Sequence, residues 1–516
     1  MSGRVTRREF LWTTAASGLV VPLGLRAQTE NNQSGLFRHG VASGDPLANR
    51  VILWTRVTPR NNRTNGAPNE VRWTIAANSA MTQVVATGTA FAASARDYTV
   101  KVDVGGLEPA RTYFYAFETG SERSPIGRTR TLPAGSVDRV RLAVVCCANY
   151  PAGYFNVYRC VANVEELDVV VHVGDYIYEF ENGRYGAGNS MGRIPDPPGE
   201  AVTLSDYRRR YAGYRTDADL QEVHRQHPFI AVWDDHEIAN DAWRGGGVNH
   251  NPEQGEGAWE TRRRAAFQAY LEWMPIRDPR GSEVRLYRNF RFGTLADLMM
   301  LDTRALRDKQ VPPDDVPALN DKKRTLMGAA QEKWLFDQLR TSQRNGTPWK
   351  VIGQQVLFSR LSPPDRPVQN PDGWDGYQAS RENVIDLLER EKVKDVAILT
   401  GDVHSSWAFD VPRNPWNGYR TTGEGSLAVE LVSPAVSSPP LFTDETLREQ
   451  TNLLKALWPH LKFLDGEHRG YVLVEITPKQ LQAEWYHVPT VTDRSAQETR
   501  ASRLICERGS SHLQQA

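Results

Sequence analysis

The sequence predicts an all-β sandwich followed by a layered α/β domain, in which β-sheets are flanked by helices. Two observations predict this. Residues from about Leu36 to Leu132 read as short alternating strands with turn signals between them, the pattern of a sandwich in which every second side chain is buried. From Val140 onward, apolar β-branched runs alternate with amphipathic helical stretches, which requires sheets covered by helices. A length of 516 residues with 40% hydrophobic content supplies enough core for about two to four domains of roughly 150 residues.

The elements follow in order. The first residues, MSGRVTRREFLWTTAASGLVVPLGLRA, place Arg7-Arg8 before a modestly apolar run that ends near Ala27. This resembles a twin-arginine export signal over residues 1–27, and implies the twin-arginine (Tat) export machinery as partner and a periplasmic or extracellular destination. The run is too short, and too broken by glycine and proline, to span a membrane, and no later segment is long and apolar enough. Residues 36–132 form the predicted sandwich through RVILWTRV, NEVRWTIAA, YTVKVDVGGL and RTYFYAFETG. Within it Leu107-Glu108-Pro109 followed by Tyr113 resembles the tyrosine corner of fibronectin type III domains, in which the phenol ties back to nearby backbone. TLPAGSVDRV reads as a linker.

The predicted α/β domain covers residues 140–490, with strands in RLAVVCC, LDVVVHVGD, FIAVWDDHE, LADLMMLDT, WKVIGQQVLF and VAILTGDVH. Helices are predicted in LSDYRRRYAGYR, WETRRRAAFQAYLEWM, AAQEKWLFDQLRTS and RENVIDLLEREK. Residues 491–516 are set apart as a C-terminal tail, for which a position over the core is one open alternative. The whole chain is formally neutral, and removal of residues 1–27 takes away four arginines against one glutamate. The remainder carries no positive excess of the kind nucleic-acid binding needs. Four cysteines are too few for a disulfide framework in a chain of this size, although a Cys160–Cys506 link is an open alternative.

Several strands end in cation-binding groups, where open α/β sheets place their ligand sites. These are Cys146-Cys147-Ala148-Asn149, Gly174-Asp175-Tyr176-Ile177-Tyr178, Asp234-Asp235-His236-Glu237 and Gly401-Asp402-Val403-His404. Any one of them is ordinary turn or capping chemistry; four together point to a metal. Asp175 can bridge two cations. Tyr178 can return to the same cation through a tight turn, and a phenol with a pKa of about 10 binds well only to a strongly Lewis-acidic ion such as ferric iron. Cys147 and His404 can fill further positions there, whereas Asp402 and Asn240 suit a hard divalent ion such as calcium. Tyr176 has the wrong offset and reads as packing.

In this order, GVASGDP, VILWTRV, CCANY, GDYIYE, WDDHEIAND, LDTR, GQQVLF and LTGDVHSSW resemble the PhoD family of alkaline phosphatases over nearly the whole chain after residue 27. They are similar, more distantly, to purple acid phosphatases. The resemblance implies an N-terminal sandwich, a metallophosphoesterase core, and a mixed site with Fe3+ and Ca2+. It implies that Cys147, Asp175, Tyr178 and His404 hold iron, with Asp175 shared, and that Asp402 and Asn240 serve calcium. Asp235 is an alternative to Asn240. His236, with Asp235 beside it, is the expected catalytic pair acting on the leaving group or the phosphate. Asp402, and Gln354 nearby, depart from the histidines of purple acid phosphatases, and oxygen ligands favour a harder second ion.

The expected reaction is hydrolysis of phosphate monoesters, with diesters as further substrates, by a metal-activated water or oxide that attacks phosphorus in line. Ser405, and the helical arginines Arg208 and Arg262, are the candidate substrate-binding groups. A phosphodiesterase acting on phospholipid or wall-polymer diesters is a second reading. A non-catalytic surface-binding protein is a third, and it gives no reason for Cys, Asp, Tyr and His to gather at strand ends.

Overall fold

A computed structural model describes residues 35–59, 69–279, 285–363, 366–440, 453–454 and 456–516. The export signal expected over residues 1–27 lies outside the described residues. Two large sheets lie face to face in the α/β part. In the first, Val140–Val145, Val169–His172 and Phe229–Ala231 run parallel as neighbours. In the second, Ala296–Met300, Trp349–Gly353, Val396–Thr400 and Ser426–Val432 do the same.

The period of two along each strand explains the layers. In the second sheet Leu298, Met300, Val351, Ala397, Leu399 and Leu431 join one core with the strands of the first sheet. Their neighbours Met299, Ile352, Val396 and Ile398 face the opposite way. There they meet Leu335 and Leu339 of helix Gly328–Arg344 and Val384, Ile385 and Leu388 of helix Gln378–Arg390. Helices Asn156–Ala162, Leu204–Tyr214 and Ala218–Gln226 contribute apolar residues to the core of the first sheet. The outcome is the layered α/β architecture expected from the alternation of strands and helices.

Residues 36–132 supply two sheets around a separate core of Val51, Leu53, Val71, Ile75, Tyr113, Tyr115 and Phe117. Tyr113 is buried and its Oη accepts the backbone N–H of Glu108 at 2.9 Å, which is the corner anticipated from Leu107-Glu108-Pro109. One face of this sandwich continues the large first sheet. Val41–Gly44 pairs in parallel with Phe229–Ala231, and Arg50–Arg56 and Thr99–Gly105 extend outward from it.

The C-terminal expectation requires correction. Residues after 490 do not lie over the core as a tail: Thr499–Glu507 pairs antiparallel with Gln480–Val488, and Leu513–Gln515 adds the edge strand of the first sheet. The cause is the alternation that buries Leu504 and Cys506. A Cys160–Cys506 link is likewise not formed; all four cysteines are free thiols. No helix among the described residues is long and apolar enough to cross a membrane.

Candidate metal centre

The parallel strands of both sheets end at one place, and an isolated bridge between Cys146 and Ala435 joins the sheets there. Beyond these ends the backbone makes sharp turns. Cys147, Asp175, Asp402 and His404 all have positive φ, at 59°, 57°, 66° and 52°. For non-glycine residues this conformation costs about 1–3 kcal/mol each, and such residues cluster at functional sites. Gly174, at φ 115°, permits the close approach of the neighbouring turn: a Cβ there would lie 2.4 Å from Cβ of Asp234.

These turns bring the sequence-predicted residues together. Ligand atoms of Cys147, Asp175 and His404 lie within 4.8 Å of one another. Tyr178 joins them, donating from Oη to Asp175 Oδ2 at 2.8 Å and lying 3.1 Å from His404 Nε2. Ser438 donates to Tyr178 Oη at 2.7 Å, and Tyr185 Oη is 2.8 Å from His404 Nδ1. Tyr176 turns away, its Oη 2.8 Å from His224 Nε2.

The electrostatics fit a cation. Burial, and then the neighbouring carboxylates, pushes the Asp175 carboxyl well above its ordinary range. Burial and the charge of Asp175 do the same to the Tyr178 phenol, and burial with Cys146 does so to the Cys147 thiol. Three acids that resist ionisation beside one another become simultaneous ligands when a strongly charged ion replaces their protons. Asp175 Oδ1 is buried with no partner, which is the acceptor such an ion would use. His404, held down at about 3 by burial and then by His236, is a neutral imidazole.

A second lobe adjoins the first. Asp175, Asp235 and His236 form one potential metal-binding group, and Asp234, Asp235 and Asp402 another. Asp235 and Asn240 both line a cavity of about 480 Å³ with Asp175, Asp402 and His404. His236 lines it too, and its Nδ1 is 2.7 Å from Glu179 Oε2. Burial opposes charge on this ring, but Glu179, Asp235 and Asp175 outweigh it and raise the His236 pKa well above normal.

Three expected substrate-binding residues are corrected. Arg208 is held by both oxygens of Glu272, at 2.7 and 2.6 Å, and by the Ala95 carbonyl. Arg262 is buried against Glu200 at 2.7 Å, Glu256 at 2.9 Å and Tyr207. Both side chains satisfy carboxylates packed against their own helices. Ser405 donates to the Val403 carbonyl at 2.8 Å and accepts from Trp407 Nε1, so its buried hydroxyl is spent internally. Gln354 is similarly committed to Thr400, Val356 and Trp374.

Further residues of the site were missed, among them Glu179 and Ser438, which bond His236 and Tyr178. Tyr185, Arg184 and Phe180 line the cavity from the segment after Tyr178, and nothing in their spacing marks them. Arg304 is fully buried, 2.8 Å from Asp402 and from Asp372, 3.6 Å from Asp235, and also bonded to Asp234. Its signal was its place in LDTR after a buried strand.

Comparison with known proteins agrees with this geometry. The family described as PhoD-like phosphatase matches residues 142–485, and the family described as PhoD-like phosphatase, N-terminal domain matches residues 24–133. The chain is 38% identical over 491 residues to alkaline phosphatase D of Bacillus subtilis (strain 168), covering 92% of this chain and 81% of that protein. A solved structure described as the structure of PhoD superposes with a TM-score of 0.84 at 35% identity, covering 94% of this chain and 92% of the other. With its strand-end ligands and its two-part fold, the chain belongs to the PhoD-like phosphatase family.

Proposed function

We propose that the chain is an exported, metal-dependent alkaline phosphatase that hydrolyses phosphate esters. The observation that carries this reading is Asp175. It is a buried carboxylate with one oxygen bonded to Tyr178 and the other without a partner, on the wall of the cavity. Cys147, Asp175, Tyr178 and His404 suit ferric iron, since a phenolate needs a strong Lewis acid and thiolate, carboxylate and imidazole also bind iron. Asp402, Asp235 and Asn240 present oxygens only, which suits calcium. The Arg7-Arg8 pattern supports export by the twin-arginine machinery to the periplasm or beyond.

Bound there, the cations supply positive charge to the phosphate oxygens and acidity to a nearby water. The chain does the rest. His236 is oriented by Glu179 through Nδ1, which leaves Nε2 to pass a proton to the departing alcohol, a contribution of about 10²–10⁴ in rate. Arg184 stands at the cavity wall with its guanidinium 5.1 Å from the Phe180 ring, replacing Arg208 and Arg262 as the phosphate-facing cation. Tyr185 fixes the His404 ring.

Asp175→Asn tests the assignment: metal content and turnover of an aryl phosphate should both collapse, and wild-type turnover would overturn it. The cavity is larger than a single phosphate requires, and Phe180 and Tyr185 give it an apolar wall, which favours acceptance of diesters as well. Relative rates on aryl mono- and diesters measure that preference.

A further inference from the structure

Away from the cavity, the chain passes from the second sheet to the first through residues 466–468, between Leu461–Asp465 and Arg469–Ile476. This crossing brings Asp465 and His468 beside His487, which stands on Gln480–Val488 of the first sheet. Their ligand atoms lie within 4.8 Å of one another. We propose that Asp465, His468 and His487 form a separate site for a divalent transition metal, with zinc the best fit, clipping the two sheets together where the chain crosses between them.

The geometry suits such an ion. His468 Nδ1 is 3.0 Å from Asp465 Oδ2, and His487 Nδ1 is 3.8 Å from the same oxygen. A tetrahedral zinc bound at about 2.1 Å keeps its ligand atoms about 3.4 Å apart, midway between these values. The two imidazoles are parallel, 7° between planes with centroids 5.1 Å apart, so both Nδ1 edges address one carboxylate.

Asp465 and His487 are also held from behind. Asp465 Oδ1 accepts the backbone N–H groups of Glu467 and His468 at 3.1 and 3.0 Å, and Oδ2 faces Nδ1 of both imidazoles. His487 Nε2 lies 2.9 Å from Ser406 Oγ, the outer hydrogen bond that orients a ligating imidazole. Burial keeps His487 neutral, at about 4, as a ligand must be. The side chains of Asp465 and His468 are 24% and 45% exposed, against 5% for His487. The site therefore reaches solvent through Asp465 and His468. Two imidazoles with one carboxylate select zinc or its neighbours over calcium or magnesium.

The clip also touches the elements that carry the metal centre. Ser406 is two residues beyond His404, and Arg469, next to His468, donates to the carbonyl of Ser438, whose hydroxyl reaches Tyr178.

The test uses the full-length protein and its His468→Ala and Asp465→Asn variants, which alter partly exposed side chains and leave the cavity intact. Each is equilibrated with excess zinc, desalted and analysed for zinc per chain, and its unfolding temperature is recorded with and without zinc. Wild type should retain one more equivalent than either variant and show a zinc-dependent rise in unfolding temperature that both variants lose. Zinc entering the cavity cancels in the difference. Equal zinc in all three proteins, or an equal thermal response, would overturn the proposal.

Discussion

Arg304 contacts four carboxylates in the second lobe, and its removal gives a measurable deficit. Arg304→Gln keeps much of the side-chain volume and a hydrogen-bonding head, but removes the charge that contacts Asp234, Asp235, Asp372 and Asp402. Arg304 has no exposed side-chain surface, and two of the four partners, Asp234 and Asp235, are nearly as buried, while Asp372 and Asp402 are 17% and 20% exposed. Solvent therefore cannot take over the lost contacts at Asp234 and Asp235. Removing one partner of a buried pair costs about 3–5 kcal/mol, because the other charge is left uncompensated. The lower end applies to Asp372, which keeps Arg307 at 2.7 Å; Asp234, with one oxygen already unpartnered, keeps no such cation. The expected loss in unfolding free energy is therefore about 3–5 kcal/mol.

Urea unfolding followed by tryptophan fluorescence, at one fixed calcium concentration, measures it. Arg264→Gln is the matched control: its side chain is 79% exposed and its pair with Glu260 is on the surface, where ion pairs contribute little. A deficit in Arg304→Gln no larger than in Arg264→Gln would refute the reasoning.

Two further outcomes follow from the same structure. Tyr185→Phe removes the hydroxyl 2.8 Å from His404 Nδ1 and should lower metal affinity or turnover by about 10–100-fold, the usual effect of losing an outer partner of a ligand; unchanged metal content and rate would contradict it. His460, pushed down to about 3 by burial and then by Arg381, stays neutral in the folded chain while its unfolded counterpart takes up a proton near a pKa of about 6.5. Its contribution to stability is complete above that value and is lost as pH falls toward the folded pKa, by about 1.4 kcal/mol per pH unit. His460→Leu should flatten the pH dependence of unfolding by that slope, and equal slopes at two pH values inside this window would exclude the effect.

The meeting of the proposed metal ligands was legible because each sits at a fixed offset after a buried strand, where chain direction alone decides the meeting place. Asp175 and Tyr178 follow Val169–His172 and Asp402 and His404 follow Val396–Thr400, so convergence of the strand ends brought them together. Long side chains gave no such guarantee. Arg208 and Arg262 stand on the faces of helices, and which carboxylate each reaches depends on packing between Leu204–Tyr214 and Trp259–Trp273. Ser405 was misassigned for a related reason: adjacency to His404 in sequence says nothing of which way a hydroxyl turns. Tyr185 required the third dimension. The merging of the sandwich with the first sheet rests on one short parallel contact at Gly44 and Phe229, a pairing between segments that no local pattern connects.

The central claim is that Tyr178 and Cys147 serve a trivalent ion beside a calcium site. Elemental analysis of the purified protein, with a visible absorbance scan of wild type and Tyr178→Phe, tests it most directly. The account predicts iron and calcium in the wild type and a phenolate-to-iron absorption band that Tyr178→Phe abolishes. An active, metal-loaded protein with no such band, or a band unchanged in Tyr178→Phe, would contradict it.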